Sequence, residues 1–309
     1  FPASAKERME NLVANLKTAL GERIKVLDWM CDDTKALALH KLDCMNVKVG
    51  YPNKWKDYSD YTVTSESYFQ NIRNACVFSN NEDMNKLGKP VDKEEWFMTP
   101  QTVNAYYSPD MNEIVFPAGI LQPPFFNQNA DDAVNYGGIG VVIGHEMTHG
   151  FDDQGRNYDL NGNLKDWWTE ADTKAFTERA QVLVDHFNNI EVAPGVQANG
   201  SFTLGENIAD NGGLNISFTA FQKAKQDGAI KGDMDGFTPE QRFFLAYAGV
   251  WAGNICPEEI LRRTKTDPHS LGKWRVNGTL PHIDAFYKAF NVKEGDAMYL
   301  APEKRARIW

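Results

Sequence analysis

The 309-residue sequence predicts a mainly helical α+β domain with one small sheet. Three observations predict it. Met9, Leu12, Val13, Leu16 and Leu20 recur at the spacing of one helix face. The run Gly138 to Gly144 carries no polar side chain and leads directly into a polar pentapeptide, as a buried helix does. Residues 101–107 roughly alternate in polarity and are followed by a Ser108-Pro109-Asp110 turn and the strand-like Glu113 to Phe116, which together read as a hairpin at the edge of a sheet.

In chain order, the first helix ends before Gly21, and Asp32 or Asp33 can cap a second that reaches about Met45. Gly50-Tyr51-Pro52 breaks that pattern. A further helix lies near Ser65 to Leu87, and the hairpin and the helix through residues 138–149 come next. Helices follow from about Glu170 to Asn188, around Glu206, and from about Pro239 to Asn254. His186, His40 and His282 read as structural. The stretch Asp267 to Arg275 has turn residues and little regular pattern, and loops of that kind often carry function. No internal repeat or low-complexity segment is present.

The pentapeptide is His145-Glu146-Met147-Thr148-His149. Two imidazoles four residues apart on a helix lie on one face, about 6 Å apart along the axis, and can bind one tetrahedral cation. Glu146 is turned about 100° around the axis from the first histidine, so its carboxylate reaches a water on the metal rather than the metal itself. That is the place of a general base. Left unpaired, two buried histidines beside a glutamate would be costly, and a metal removes the cost.

A catalytic zinc site needs a third protein ligand and an open fourth position. Glu206, 61 residues after His145, is the candidate. Asp210 is four residues further on and shares its helix face, so it can accept the other N–H of a ligating imidazole and fix the tautomer. Taken alone, Glu206 also reads as an ordinary acidic residue at a helix N-terminus.

With both motifs in view, the chain resembles the neprilysin family of metallopeptidases, known also as family M13, which includes the endothelin-converting enzymes and bacterial PepO-type oligopeptidases. The matching text runs through Asn104 to Tyr107, Ile114 to Phe126, Asn135 to Gly138, His145 to Gly155, Leu204 to Gly213, Lys265 to His269 and Ala306 to Trp309. It implies a thermolysin-like zincin catalytic domain over residues 51–309, preceded by helices over 1–50 that connect it to the family's first half. It implies one zinc ion per chain on His145, His149 and Glu206, with Glu146 as base and Asp210 orienting a ligand. By the same resemblance His269 donates to the oxyanion, Asn104 and Ala105 hold the substrate backbone by strand addition, and Arg275 binds a substrate carbonyl. Phe125, Val142, Val250 and Trp251 match positions around an apolar pocket for the residue after the cut, although plain core packing explains such residues equally well.

The function implied is zinc-dependent endopeptidase cleavage of oligopeptides on the amino side of hydrophobic residues. No Gly-x-Ser-x-Gly nucleophile elbow competes with it. The competing class is a non-catalytic binding or adhesion module, inert without an N-terminal half of the same protein. Full-length relatives are longer, and this chain begins Phe1-Pro2-Ala3, without a targeting segment or an apolar run long enough for a membrane span, so it reads as processed or truncated. The resemblance implies an extracytoplasmic setting.

Composition agrees with a folded enzyme: 42% hydrophobic and 24% charged residues are ordinary for a globular chain. A formal net charge of −10 leaves no basic surplus for nucleic acid. Cys31, Cys44, Cys76 and Cys256 show no metal-ligand spacing and read as buried thiols or one or two disulfides. Ala252 and Ala306 stand where the animal relatives carry cysteines, which implies a bacterial-type member. Asn199, Asn215 and Asn277 open glycosylation tripeptides, a weak signal that depends on the host.

Overall fold

In the computed structural model, which describes residues 1–309, the first apolar repeat becomes helix α1 (Ala3–Val26) and buries Met9, Leu12, Leu16 and Leu20. The helix does not stop at Gly21, which lies within it and faces Leu39 and Leu42 of the next helix. Helix α2 (Asp32–Asp43) is not capped by its own first aspartates; the Cys31 N–H that precedes it donates to Asp172, far along the chain.

Strand β1 (Asn46–Gly50) follows, where the sequence pattern showed only the end of a helix. It runs parallel to β3 (Glu113–Pro117), with Asn46 opposite Glu113 and Gly50 opposite Pro117. Strand β2 (Tyr106–Ser108) pairs antiparallel with the other side of β3, so the sheet order is β1-β3-β2 and β2 is an edge. The expected strand over 101–107 is therefore shorter. Just before it, the Pro100 carbonyl accepts the Gly119 N–H.

Helix α3 (Tyr68–Met84), capped by Ser67, has no buried residue and leaves Tyr68, Phe69 and Val77 exposed. Helix α4 (Asp132–Asn135) passes through one π turn at Tyr136–Gly140 into α5 (Val141–His149), the helix that carries the pentapeptide. Helix α6 (Glu170–Asn188) is capped by Thr169 and is followed by the small ribbon β4 (Glu191–Ala193) and β5 (Val196–Gln197). Helix α7 (Leu204–Gln226) carries Glu206. Helix α8 (Pro239–Val250) starts at a Thr238–Gln241 capping box, and α9 (Pro257–Thr266), α10 (Gly272–Asn277) and α11 (Asp284–Phe290) complete the chain.

The core forms where α5 crosses α7. A Cβ on Gly144 would lie 2.9 Å from Gly213 Cα, and one on Gly213 would lie 2.6 Å from the Val141 carbonyl oxygen. Only glycine at both positions permits so close a crossing. One continuous apolar cluster joins Met9 and Leu16 of α1, Ile143 and Met147 of α5, Ile208 and Leu214 of α7, Phe243 and Phe244 of α8, and Trp309. Residues on both sides of residue 50 share this core, Val49 of β1 among them.

All four cysteines are free and exposed, against the expectation of buried thiols or disulfides. Cys31 and Cys44 flank the two ends of α2, Cys76 lies in the helix that begins at Tyr68 and Cys256 precedes the one that begins at Pro257, and none is bonded to another cysteine. No helix is long and apolar enough to cross a membrane.

Candidate metal centre and active site

The close crossing of α5 and α7 brings three ligand atoms together. One nitrogen each from His145 and His149 and a carboxylate oxygen of Glu206 lie within 4.8 Å of one another. The two Nε2 atoms are 3.0 Å apart, and Glu206 oxygens lie 3.2 Å from that of His145 and 3.7 Å from that of His149. Two donors on one tetrahedral zinc, each about 2.0–2.1 Å from the ion, stand about 3.3 Å apart, so these separations suit it.

Hydrogen bonding makes the same point. His145 Nδ1 faces Asp210 Oδ1 at 2.8 Å and His149 Nδ1 faces Asp152 Oδ2 at 2.6 Å, so each ring, when neutral as a metal ligand must be, donates outward and turns its Nε2 lone pair inward. Glu206 Oε2 is buried without a hydrogen-bond partner. Two lone pairs and an orphaned carboxylate oxygen pointing at one spot fit a cation.

Without a metal the charges compensate internally. Burial pushes His145 down, but the Asp210 and Glu206 carboxylates outweigh it and raise its pKa to about 10. Burial likewise opposes ionisation of Glu206, yet His145, His149 and His269 hold it well below the usual carboxylate range. Asp210 is buried too, and Arg275 followed by His145 keeps it ionised. Both carboxylates are thus charged, as a ligand and its orienting partner need to be.

All thirteen site residues expected from the sequence line one cleft of about 600 Å³. Glu146 is buried at its floor and belongs to none of the ion pairs that occupy Glu206, Asp210 and Asp152. Asn104 is exposed and Ala105 buried, just before the free edge of β2. Phe125, Val142, Val250 and Trp251 are half-buried along the walls. His269 is partly exposed, its Nδ1 2.7 Å from Asp267 and its Nε2 3.3 Å from Glu206 Oε2.

Arg275 is more committed than the sequence suggested. Its Nε and Nη2 donate to the two oxygens of Asp210 at 2.8 and 2.6 Å, and its guanidinium lies 3.8 Å from the centre of the Trp251 ring. Tyr247 donates to the Arg275 carbonyl at 2.8 Å and so fixes α10 against α8.

Sequence reasoning missed Asp152. Its only signal was an acidic residue three positions after a ligand, beyond the end of the helix. A larger cavity of about 980 Å³ opens elsewhere and is lined by Arg23, Trp29 and Trp309; it contains none of the candidate ligand groups, all of which line the smaller cleft.

Comparison with known proteins agrees with this geometry. A model of peptidase family M13 matches residues 104–306, and a second model of the same family matches residues 1–52. Endothelin-converting enzyme 1 of Rattus norvegicus is 41% identical over all of this chain, which covers 41% of that protein. Human neprilysin is 40% identical, again over the whole chain and over 42% of its own length. Among solved structures, the zinc metalloprotease ZMP1 of Mycobacterium tuberculosis, in complex with an inhibitor, superposes with a TM-score of 0.94 at 46% identity, covering 99% of this chain and 47% of that one. PepO of Lactobacillus rhamnosis gives 0.91 at 35% identity, over 100% of this chain and 48% of its own. The chain thus spans less than half the length of the relatives it matches. With the paired-histidine helix, the glutamate helix and the edge strand in one matching fold, the chain belongs to peptidase family M13.

Proposed function

We propose that this chain is the catalytic part of a zinc-dependent endopeptidase that hydrolyses oligopeptides, cutting on the amino side of hydrophobic residues. The observation that carries the reading is the convergence of His145, His149 and Glu206 at the floor of a cleft that also holds Glu146 and the edge of β2. One zinc per chain fits those three residues. When bound, it supplies Lewis acidity toward the scissile carbonyl and acidifies a water.

The remaining work falls to side chains. Glu146 accepts a proton from the attacking water and returns it to the departing amine. His269, held at Nδ1 by Asp267, presents Nε2 to the oxyanion. Asp210 and Asp152 fix the ligand rings. Arg275 uses Nε and Nη2 on Asp210, which leaves Nη1 for a substrate carbonyl. Asn104 and Ala105 bind the peptide backbone at the strand edge, and Phe125, Val142, Val250 and Trp251 receive the apolar side chain that follows the cut.

The second reading, a chain inert without further residues of the same protein, is favoured by α3, which buries nothing and exposes Tyr68, Phe69 and Val77. An N-terminal half as partner and an extracytoplasmic setting are proposed on the family likeness. The test is hydrolysis of a quenched fluorescent peptide with a bulky apolar residue after the intended bond, with and without a zinc chelator. Chelator-sensitive cleavage supports the enzyme. Absence of cleavage by zinc-loaded protein favours the second reading, a chain that needs its missing half or serves in binding.

A further inference from the structure

Beneath the metal-bearing helix lies a cation that the proposed chemistry does not use. Lys41 of α2 is 1% exposed, and its Nζ donates to three main-chain carbonyls, those of Gly150 at 2.7 Å, Gly155 at 2.8 Å and Tyr158 at 2.7 Å. Three acceptors around one nitrogen match the three protons of an ammonium, whereas a neutral amine offers two. Burial pushes its pKa down to about 7, against the pull of the Asp152 and Asp159 carboxylates. The rings of Phe151, Trp167 and Tyr107 stand 5.5, 5.7 and 5.9 Å from the same nitrogen.

The three carbonyls belong to one short stretch. Gly150 immediately follows His149 and ends α5, where helix carbonyls lack partners and the dipole favours a cation. Gly155 opens a 3-10 turn that closes at Tyr158. Between them sits Asp152, whose Oδ2 faces His149 Nδ1 and whose Oδ1 accepts the N–H groups of Gln154 at 2.8 Å and Gly155 at 2.6 Å. Gly155 has no room for a side chain against the His149 carbonyl, so the chain doubles back onto the helix end. The ammonium ties both ends of that reversal. The Lys41 carbonyl also accepts from Asn112 Nδ2 at 3.1 Å, and Asn112 Oδ1 accepts from the hydroxyl of Tyr107, an edge-strand residue lining the cleft.

We propose that Lys41 is a positioning residue of the metal centre: by clamping residues 150–158 it holds Asp152 against His149 before metal arrives, and thereby raises the affinity of the chain for zinc. The inference rests on the zinc reading above.

Its test is the zinc dissociation constant of the full chain, measured by competition with a chromophoric chelator, for wild type, Lys41→Gln, Lys41→Arg and Asp152→Asn. Lys41→Gln should weaken zinc roughly 10-fold, in the range of lost orienting contacts. Lys41→Arg, which keeps the charge and its donors, should weaken it less. Combining Lys41→Gln with Asp152→Asn should add little to either alone. A Lys41→Gln protein that melts earlier but binds zinc as wild type does overturns the inference and leaves the zinc reading intact. Wild type that binds no zinc removes both. Should the variants fail to fold, hydrogen exchange on metal-stripped wild type decides. The Gly155, Arg156 and Tyr158 amides should stay protected; rapid exchange that slows only on adding zinc would mean the metal orders the loop, against the proposal.

Discussion

His145 and His149 turn their Nε2 atoms toward each other across 3.0 Å while carboxylates hold both Nδ1 atoms. Two neutral rings in this pose set lone pair against lone pair, whereas a proton between them is accommodated, because the Asp210 and Glu206 carboxylates raise the pKa of His145 to about 10 against its burial. On the proposed function, zinc takes the place of that proton. Added zinc should therefore raise the melting temperature, by the equivalent of about 2.7 kcal/mol at a free concentration 100 times the dissociation constant. A chelator should reverse the shift. Thermal melts with and without zinc check it, and His145→Ala should abolish the response.

Glu146→Gln should leave zinc content near that of wild type while peptide turnover falls by at least about 100-fold, the contribution of a positioned acid–base group. Glu146 makes none of the ion pairs that hold the ligands, so the amide disturbs the proton path and not the ligand set. Metal analysis beside initial-rate kinetics checks this. Retained turnover would take Glu146 out of the role of base.

Asp210 serves two buried partners at once, His145 at 2.8 Å and Arg275 at 2.6 Å. Asp210→Ala should weaken zinc roughly 10- to 100-fold. It should also cost about 3–5 kcal/mol of stability, because the Arg275 guanidinium is left buried and unpaired. Chelator competition and urea unfolding measure the two losses separately. Unchanged zinc affinity would show that the carboxylate serves the arginine alone.

The grouping of His145, His149 and Glu206 was legible in part because it draws on helical spacing. His145 and His149 share a face wherever a helix forms, and Glu206 and Asp210 repeat the same interval. Asp152 was not legible, since its contact with His149 exists only after the chain reverses between Gly150 and Gly155. Strand β1 escaped for a similar reason: Asn46 to Gly50 is short, and its pairing partner lies at Glu113 to Pro117, so nothing local marks it as a strand. Nothing local to Lys41 marks it. Its burial depends on three carbonyls that residues 150–158 supply.

His282 should make the fold sensitive to mild acid. Burial pushes its pKa down to about 3, and the neighbouring charges of His186 and Arg305 push the same way. Its Nδ1 accepts the Ala306 N–H at 2.9 Å, a bond the imidazolium cannot accept. Because the folded pKa lies below the unfolded one, the unfolded chain binds more protons between the two values. The stability this group contributes is whole above about pH 6.5 and is lost as pH falls toward 3, by up to about 1.4 kcal/mol per pH unit. His282→Asn, which keeps an acceptor for Ala306, should flatten that slope. Urea unfolding at pH 7, 6, 5 and 4 checks it, and parallel slopes would assign the acid response to other groups.

Glu206, the proposed third ligand, comes near the two histidines because α7 can approach α5 closely, and Gly213 sets that approach. Its missing side chain would lie 2.6 Å from the Val141 carbonyl oxygen and 2.8 Å from the His145 nitrogen. Gly213→Ala must therefore move the helices apart, and both neighbours are backbone atoms that cannot swing aside. Overpacking of this kind costs about 1–3 kcal/mol. The larger expected consequence is chemical: Glu206 lies two turns along the same helix, so separation of α7 should draw its carboxylate away from the histidines and weaken zinc. Chelator competition on folded Gly213→Ala protein measures this. Loss of stability with unchanged zinc affinity would mean that the crossing supports the fold while residues nearer Glu206 set the ligand geometry.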